Sequence, residues 1–222
     1  MPVRVGLRYI ELWKSSMEKE VQAYEAQPIE QGKIVFYGPS YFTRWKEERW
    51  GMVPLEEEIV GKSGAKCAVN RGFGSSCAEH QLYYYDRMVR PLAPKVLVYS
   101  SFGNSMDFGY KPEETFELAQ RVVIYTLTDF PDCQVYLCGT GKHKKIIPIE
   151  GHDEACANYD KWLREFAEST PNCHYIDPKS YAPLVTDLDD IFVEDGVHYN
   201  REGYRRFGEF FREALKDELE KF

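Results

Sequence analysis

The chain has 222 residues, 43% of them hydrophobic and 29% charged. This ordinary globular composition excludes collagen-like, low-complexity and disordered classes. Acidic residues outnumber basic ones by 36 to 28, giving a net charge of −8. That balance argues against nucleic acid and against a membrane surface as partners, since both recruit basic patches. No run approaches the roughly 18 consecutive apolar residues of a membrane span. The first residues, MPVRVGLRYIELWKSSMEKE, lack the apolar core of a leader peptide, so a cytoplasmic location is expected. The six cysteines form no C-x-x-C pair and no disulfide framework; Cys133 and Cys138 bracket a strand-like run and read as buried thiols rather than a metal site. Aromatic residues are abundant at 15%.

In chain order, Ile10, Trp13, Met17, Val21 and Tyr24 recur at spacings of three and four, which predicts an amphipathic helix over about 9–27. The run KIVFY after Gly32 is continuously apolar and predicts a strand buried on both faces. Further strands are predicted at 65–69, 95–100, 134–138 and 174–176. Helices are predicted between them at about 78–90, 112–130, 152–169 and 201–220. Pro112 followed by Glu113 and Glu114 is a good helix start, and Asn200 is a suitable N-cap for the last helix. This alternation predicts an α/β fold: a mainly parallel sheet of about five strands with helices on both faces. One domain is expected to span 1–222.

Ligands in such folds bind beyond the carboxyl ends of the strands. Gly38-Pro39-Ser40-Tyr41 follows the first predicted strand. Asn70-Arg71-Gly72-Phe73-Gly74-Ser75-Ser76 follows the second, and Phe102-Gly103-Asn104-Ser105 the third. Asp195-Gly196-Val197-His198-Tyr199-Asn200 precedes the last helix. Together they supply a serine, backbone amides, an asparagine and an Asp/His pair, the parts of a serine hydrolase.

These blocks, in this order, resemble the SGNH hydrolases, also called the GDSL esterase/lipase family. The likeness is greatest to bacterial members similar to platelet-activating-factor acetylhydrolase catalytic subunits. KIVFYGPSYFTRW, VNRGFGSS, VLVYSSFGNSMDFGYKPEE and IFVEDGVHYNREGY carry the resemblance, which extends from about Met17 to Leu219. It implies a three-layer α/β/α, flavodoxin-like fold and an esterase acting on a small-molecule ester, with no cofactor and no metal. It implies that Ser40 is the nucleophile, His198 its base and Asp195 the carboxylate that orients the base. It further implies an oxyanion hole made by the Ser40 N–H, the Asn104 side chain and an N–H from Ser75 or, by a one-residue shift, Gly74. Short acyl esters, acetylated carbohydrates among them, are the substrates the family suggests.

Three positions depart from the family pattern. Pro39 replaces the acid of G-D-S, and its ring demands φ near −65°. Ser75 stands where a glycine is usual, and a positive φ there would cost roughly 1–2 kcal/mol. Ser105 replaces the acid after the asparagine. These departures motivate a second reading, a catalytically weak or inactive binding module on the same scaffold. Among residues outside the motifs, His80 reads as a solvated position on a helix, and His152 with Asp153 as a helix-start pair. Gly139-Thr140-Gly141-Lys142 lacks the spacing of a phosphate loop. The run Lys142-His143-Lys144-Lys145 reads as solvated, with a basic lip for an anionic substrate as the lesser alternative. Tyr41 and Phe73 are expected to flank the site, and Trp45 and Tyr204 to pack the fold.

Overall fold

The computed structural model describes residues 14–46, 51–145 and 147–222. Its centre is a five-stranded sheet of β1 (Ile34–Gly38), β2 (Ala68–Gly72), β3 (Val96–Tyr99), β4 (Gln134–Cys138) and β5 (Cys173–Ile176). All neighbours pair in parallel, in the order β2-β1-β3-β4-β5. The order reverses at β1, which puts a topological switch point between the ends of β1 and β3.

Side chains alternate across each strand. Val35 and Tyr37 of β1, with Leu97 and Tyr99 of β3, face one core. Helices α1 (Lys14–Glu25), α4 (Ala78–Met88), α6 (Pro112–Asp129) and α7 (His152–Ser169) cover it. Ile34 and Phe36, with Val96 and Val98, face the other. That layer is covered by α2 (Ser40–Thr43), α3 (Leu55–Glu58), α9 (Arg201–Ala214) and α10 (Lys216–Leu219). Burial on both faces is why these strands read as unbroken apolar runs. The remaining short helices are α5 (Gly103–Asp107) and α8 (Leu188–Ile191).

Several elements differ from their sequence expectations. The first helix begins its described part at Lys14, so Ile10 and Trp13 lie outside the described residues, while Met17, Val21 and Tyr24 are buried. The second strand runs over 68–72, not 65–69. Asn70 and Arg71 therefore belong to the strand and not to the turn after it. A polar residue is tolerated there because Asn70 Nδ2 donates to the Phe42 carbonyl at 2.7 Å and its Oδ1 accepts the Gly72 N–H at 2.9 Å. The last helix is interrupted at Leu215 and splits into α9 and α10. His80 is fully buried: its Nδ1 accepts the Cys77 N–H at 3.3 Å and caps α4. Phe73 is also core, 5.7 Å from the Tyr37 ring. Trp45 and Tyr204 pack together at 5.6 Å, as expected.

Gly38 and Gly72 end β1 and β2 for a steric reason. A Cβ on Gly72 would lie 2.4 Å from the Thr43 nitrogen, and one on Gly38 would lie 2.9 Å from Phe42 and from the Ser100 carbonyl. The bare backbone lets α2 cross directly over both strand ends. That crossing places Ser40 at the carboxyl edge of the sheet.

Candidate active site

Pro39 adopts φ −81°, within the range its ring allows, so the G-P-S turn forms without strain. Ser40 opens α2. Its Oγ lies 2.8 Å from His198 Nε2. On the far side of the ring, His198 Nδ1 lies 2.8 Å from Asp195 Oδ2. A carboxylate at Nδ1 keeps the proton there and leaves Nε2 to accept from the serine hydroxyl.

The Asp195–His198 turn is tied from several directions. Asp195 Oδ1 accepts the N–H groups of Val197 and His198, each at 2.8 Å. The Gly196 carbonyl accepts the Lys144 and Lys145 N–H groups at 3.0 and 2.9 Å. The Val197 carbonyl accepts the Tyr41 hydroxyl at 2.7 Å. Arg44 Nη1 lies 3.5 Å from Asp195 Oδ2. Burial opposes ionisation of Asp195, but the His198 amide and ring and the Val197 amide outweigh it and hold the carboxyl well below the usual range.

Across the cleft, Asn104 stands in the first turn of α5 and not in an open turn. Its Nδ2 donates to the Ser76 carbonyl at 3.0 Å, which leaves a second N–H. Ser75 takes φ +58°, the left-handed conformation that its non-glycine identity makes costly. The Gly74 N–H is already given to Glu20 Oε2 at 3.0 Å. Of the two neighbouring amides, Gly74 is thus occupied, and Ser75 is the one left for a ligand. Among the described residues the Ser40 N–H likewise has no partner. Ser40, Arg44, Lys46, Ser75, Asn104 and His198 line one polar cleft of about 420 Å³, with Gly74 at its wall.

Behind the Ser40 turn lies a second, smaller cavity of about 70 Å³. Pro39, Tyr41, Phe102, Gly141, His143 and Tyr199 contribute to its wall. The His143 ring stacks 6.3 Å from Tyr41. Burial, with His152 and His198 nearby, pushes its pKa down to about 4, so it is neutral at pH 7. Lys144 is paired with Asp189 at 2.5 Å. The basic run therefore braces the Asp195 turn through its backbone and does not offer an unpaired lip at Lys144. Among the described residues no group of three or more His, Cys, Asp or Glu side chains converges as metal ligands would.

A hydroxyl against an imidazole, itself against a carboxylate and facing several N–H donors, is an arrangement that can make serine nucleophilic and stabilise an oxyanion. Sequence reasoning missed Glu20 and Arg44, whereas Tyr41 flanks the site as expected. Glu20 and Tyr24 are four residues apart on a helix, a spacing that puts both on one face, but nothing local says what that face meets.

No protein-family model and no curated protein sequence matches the chain. Solved structures do. A GDSL-like lipase from Bacteroides thetaiotaomicron aligns over 93% of this chain and 98% of its own, at 16% identity and TM-score 0.64. The lipase/acylhydrolase from Enterococcus faecalis aligns over 85% and 97%, at 17% identity and TM-score 0.66. An acetyl xylan esterase aligns over 82% and 99%, at 20% identity and TM-score 0.64. The chain has the three-layer α/β/α fold that these GDSL-like lipases, acylhydrolases and esterases share.

Proposed function

We propose that the protein is a serine esterase, one hydrolase domain acting on short-chain acyl esters. The observation that carries this reading is the line from Ser40 Oγ through His198 to Asp195, 2.8 Å at each step, facing free N–H donors across one cleft. Ser40 Oγ attacks the ester carbonyl carbon while His198 Nε2 takes its proton. The carbonyl oxygen becomes an oxyanion held by the Ser40 and Ser75 N–H groups and by Asn104. The carbon–oxygen bond to the alcohol then breaks, and His198 returns the proton to the departing oxygen. Water attacks the acyl-Ser40 ester by the same route and releases the acid. Asp195 keeps the ring oriented and stabilises its charged form.

Short acyl esters are the substrates the family resemblance suggests. Acetylated carbohydrates are among them, and an acetyl xylan esterase shares the fold. Six unpaired cysteines, five of them buried, favour a reducing compartment such as the cytoplasm. Among the described residues no helix is long and apolar enough to cross a membrane.

The test is labelling by a fluorophosphonate probe together with turnover of p-nitrophenyl acetate and its longer homologues. The wild type is expected to label and to turn over, with rates falling as the acyl chain lengthens, and Ser40→Ala to do neither. Equal behaviour of the two proteins would overturn the reading and favour a binding module.

A further inference from the structure

Helix α1 braces the outer wall of the cleft. Glu20 and Tyr24, one turn apart on α1, grip two backbone groups, one on the last residue of β2 and one just after it. The Tyr24 hydroxyl donates to the Gly72 carbonyl at 2.7 Å. Glu20 Oε2 accepts the Gly74 N–H at 3.0 Å. The Arg71 guanidinium lies 4.9 Å from the Tyr24 ring centroid and the Lys46 ammonium 5.4 Å from it, so the helix is held against the strand end. The next residue is Ser75 at φ +58°. A non-glycine residue stays in that conformation only where its surroundings impose it.

We infer that Glu20, supported by Tyr24, is a positioning residue: it draws the Gly74 N–H outward and so fixes the neighbouring Ser75 N–H as a preset oxyanion donor. This rests on the esterase reading of the same cleft. The physical need is clear. A donor accelerates a reaction in proportion to how little it must reorganise when charge develops. The strain at Ser75 is relaxed by rotation of the Gly74–Ser75 peptide, the unit that carries the Ser75 N–H. A carboxylate acceptor holds the adjoining Gly74 N–H more strongly than a neutral group would, and so restricts the movement of Gly74 that such a rotation would draw on.

The experiment compares Glu20→Ala, Glu20→Gln and a control on the same helix, Glu25→Ala. The control breaks an exposed ion pair to Arg87 at 2.7 Å without touching the loop. Glu20→Ala is expected to lower kcat on p-nitrophenyl acetate by about 10- to 100-fold, less than the loss of a whole oxyanion donor, with KM nearly unchanged. Glu20→Gln, which keeps an acceptor oxygen, is expected to recover most of that loss. Glu25→Ala should lower Tm slightly and leave kcat alone. If Glu20→Ala behaves like Glu25→Ala, the inference is overturned. Hydrogen exchange at the Gly74 amide reads the clamp without turnover. It should quicken in Glu20→Ala, and an unchanged rate also overturns the inference. A wild type no faster than Ser40→Ala would sink the esterase reading instead, and the exchange rate would then decide the clamp alone.

Discussion

Asp195 and His198 sit three residues apart in one turn, whereas Ser75 and Asn104 come from the ends of two strands and meet only in the folded chain. The two walls of the cleft therefore differ in how they are held. The Asp195–His198 wall is closed within its own turn by two amides bonded to Asp195 Oδ1, and Tyr41, Arg44 and the Lys144 and Lys145 amides only add to that local closure. The opposite wall, where we place the oxyanion donors, carries a residue at positive φ and depends on distant supports: Glu20 on the Gly74 amide and Asn104 on the Ser76 carbonyl. A proton-transfer pair needs one short, well-aimed contact. An oxyanion site needs several donors converging on a point, and several chain segments must supply them.

Mutations can break this comparison. The largest effect is expected on the Asp195 side. Asp195→Asn keeps the shape but favours the wrong imidazole tautomer, and should cost about 10⁴-fold in kcat. Steady-state kinetics on p-nitrophenyl acetate checks it, and a loss under tenfold would mean that Asp195 does not orient His198. Next, Asn104→Ala should cost about 10²- to 10³-fold in kcat with little change in KM. An equal rise in KM would instead make Asn104 a ground-state contact.

The pH dependence sharpens the same contrast. Asp195 is held well below the usual carboxylate range, so it stays ionised well into acid. Its protonation should therefore add nothing to the acid limb of log kcat/KM above about pH 4, and a slope of two there would show Asp195 titrating. The same depression favours the folded state at pH values above the unfolded aspartate value of about 3.9. That contribution is lost as pH falls below it, so Tm of Asp195→Asn should decline less steeply than that of the wild type in acid.

The smallest effect is expected on the strained side. Ser75→Gly relieves a left-handed residue, a gain of roughly 1–2 kcal/mol, against a loss of about 0.5–1 kcal/mol for glycine's greater freedom when unfolded. The net is about 0.5–1 kcal/mol of stabilisation, or on the order of 1–4 °C in Tm for a chain of this size, with activity preserved because the N–H remains. A fall in Tm on calorimetry would mean that the Ser75 side chain makes a contact worth more than the strain.

Legibility in the sequence follows the same division. Strands buried on both faces could be read from continuous apolar runs such as IVFY, and α6 and α7 from their helical spacing and starts. Ser40, Asp195 and His198 could be read because side-chain identity carries their chemistry and the D-G-V-H spacing is local. The end of β2 could not be read, because Asn70 looks like a turn residue until its two hydrogen bonds to Phe42 and Gly72 exist. His80 looked exposed for a similar reason: the elements that bury it are distant in the chain.

The sequence by itself determined the α/β alternation, the order of the strand-end blocks and the side chains that could act as nucleophile, base and orienter. The tertiary structure decided which of two neighbouring backbone amides is already bonded. Every residue but proline has an N–H, so no side-chain pattern distinguishes Gly74 from Ser75. Only the arrival of Glu20 from a separate helix occupies the first amide and leaves the second free.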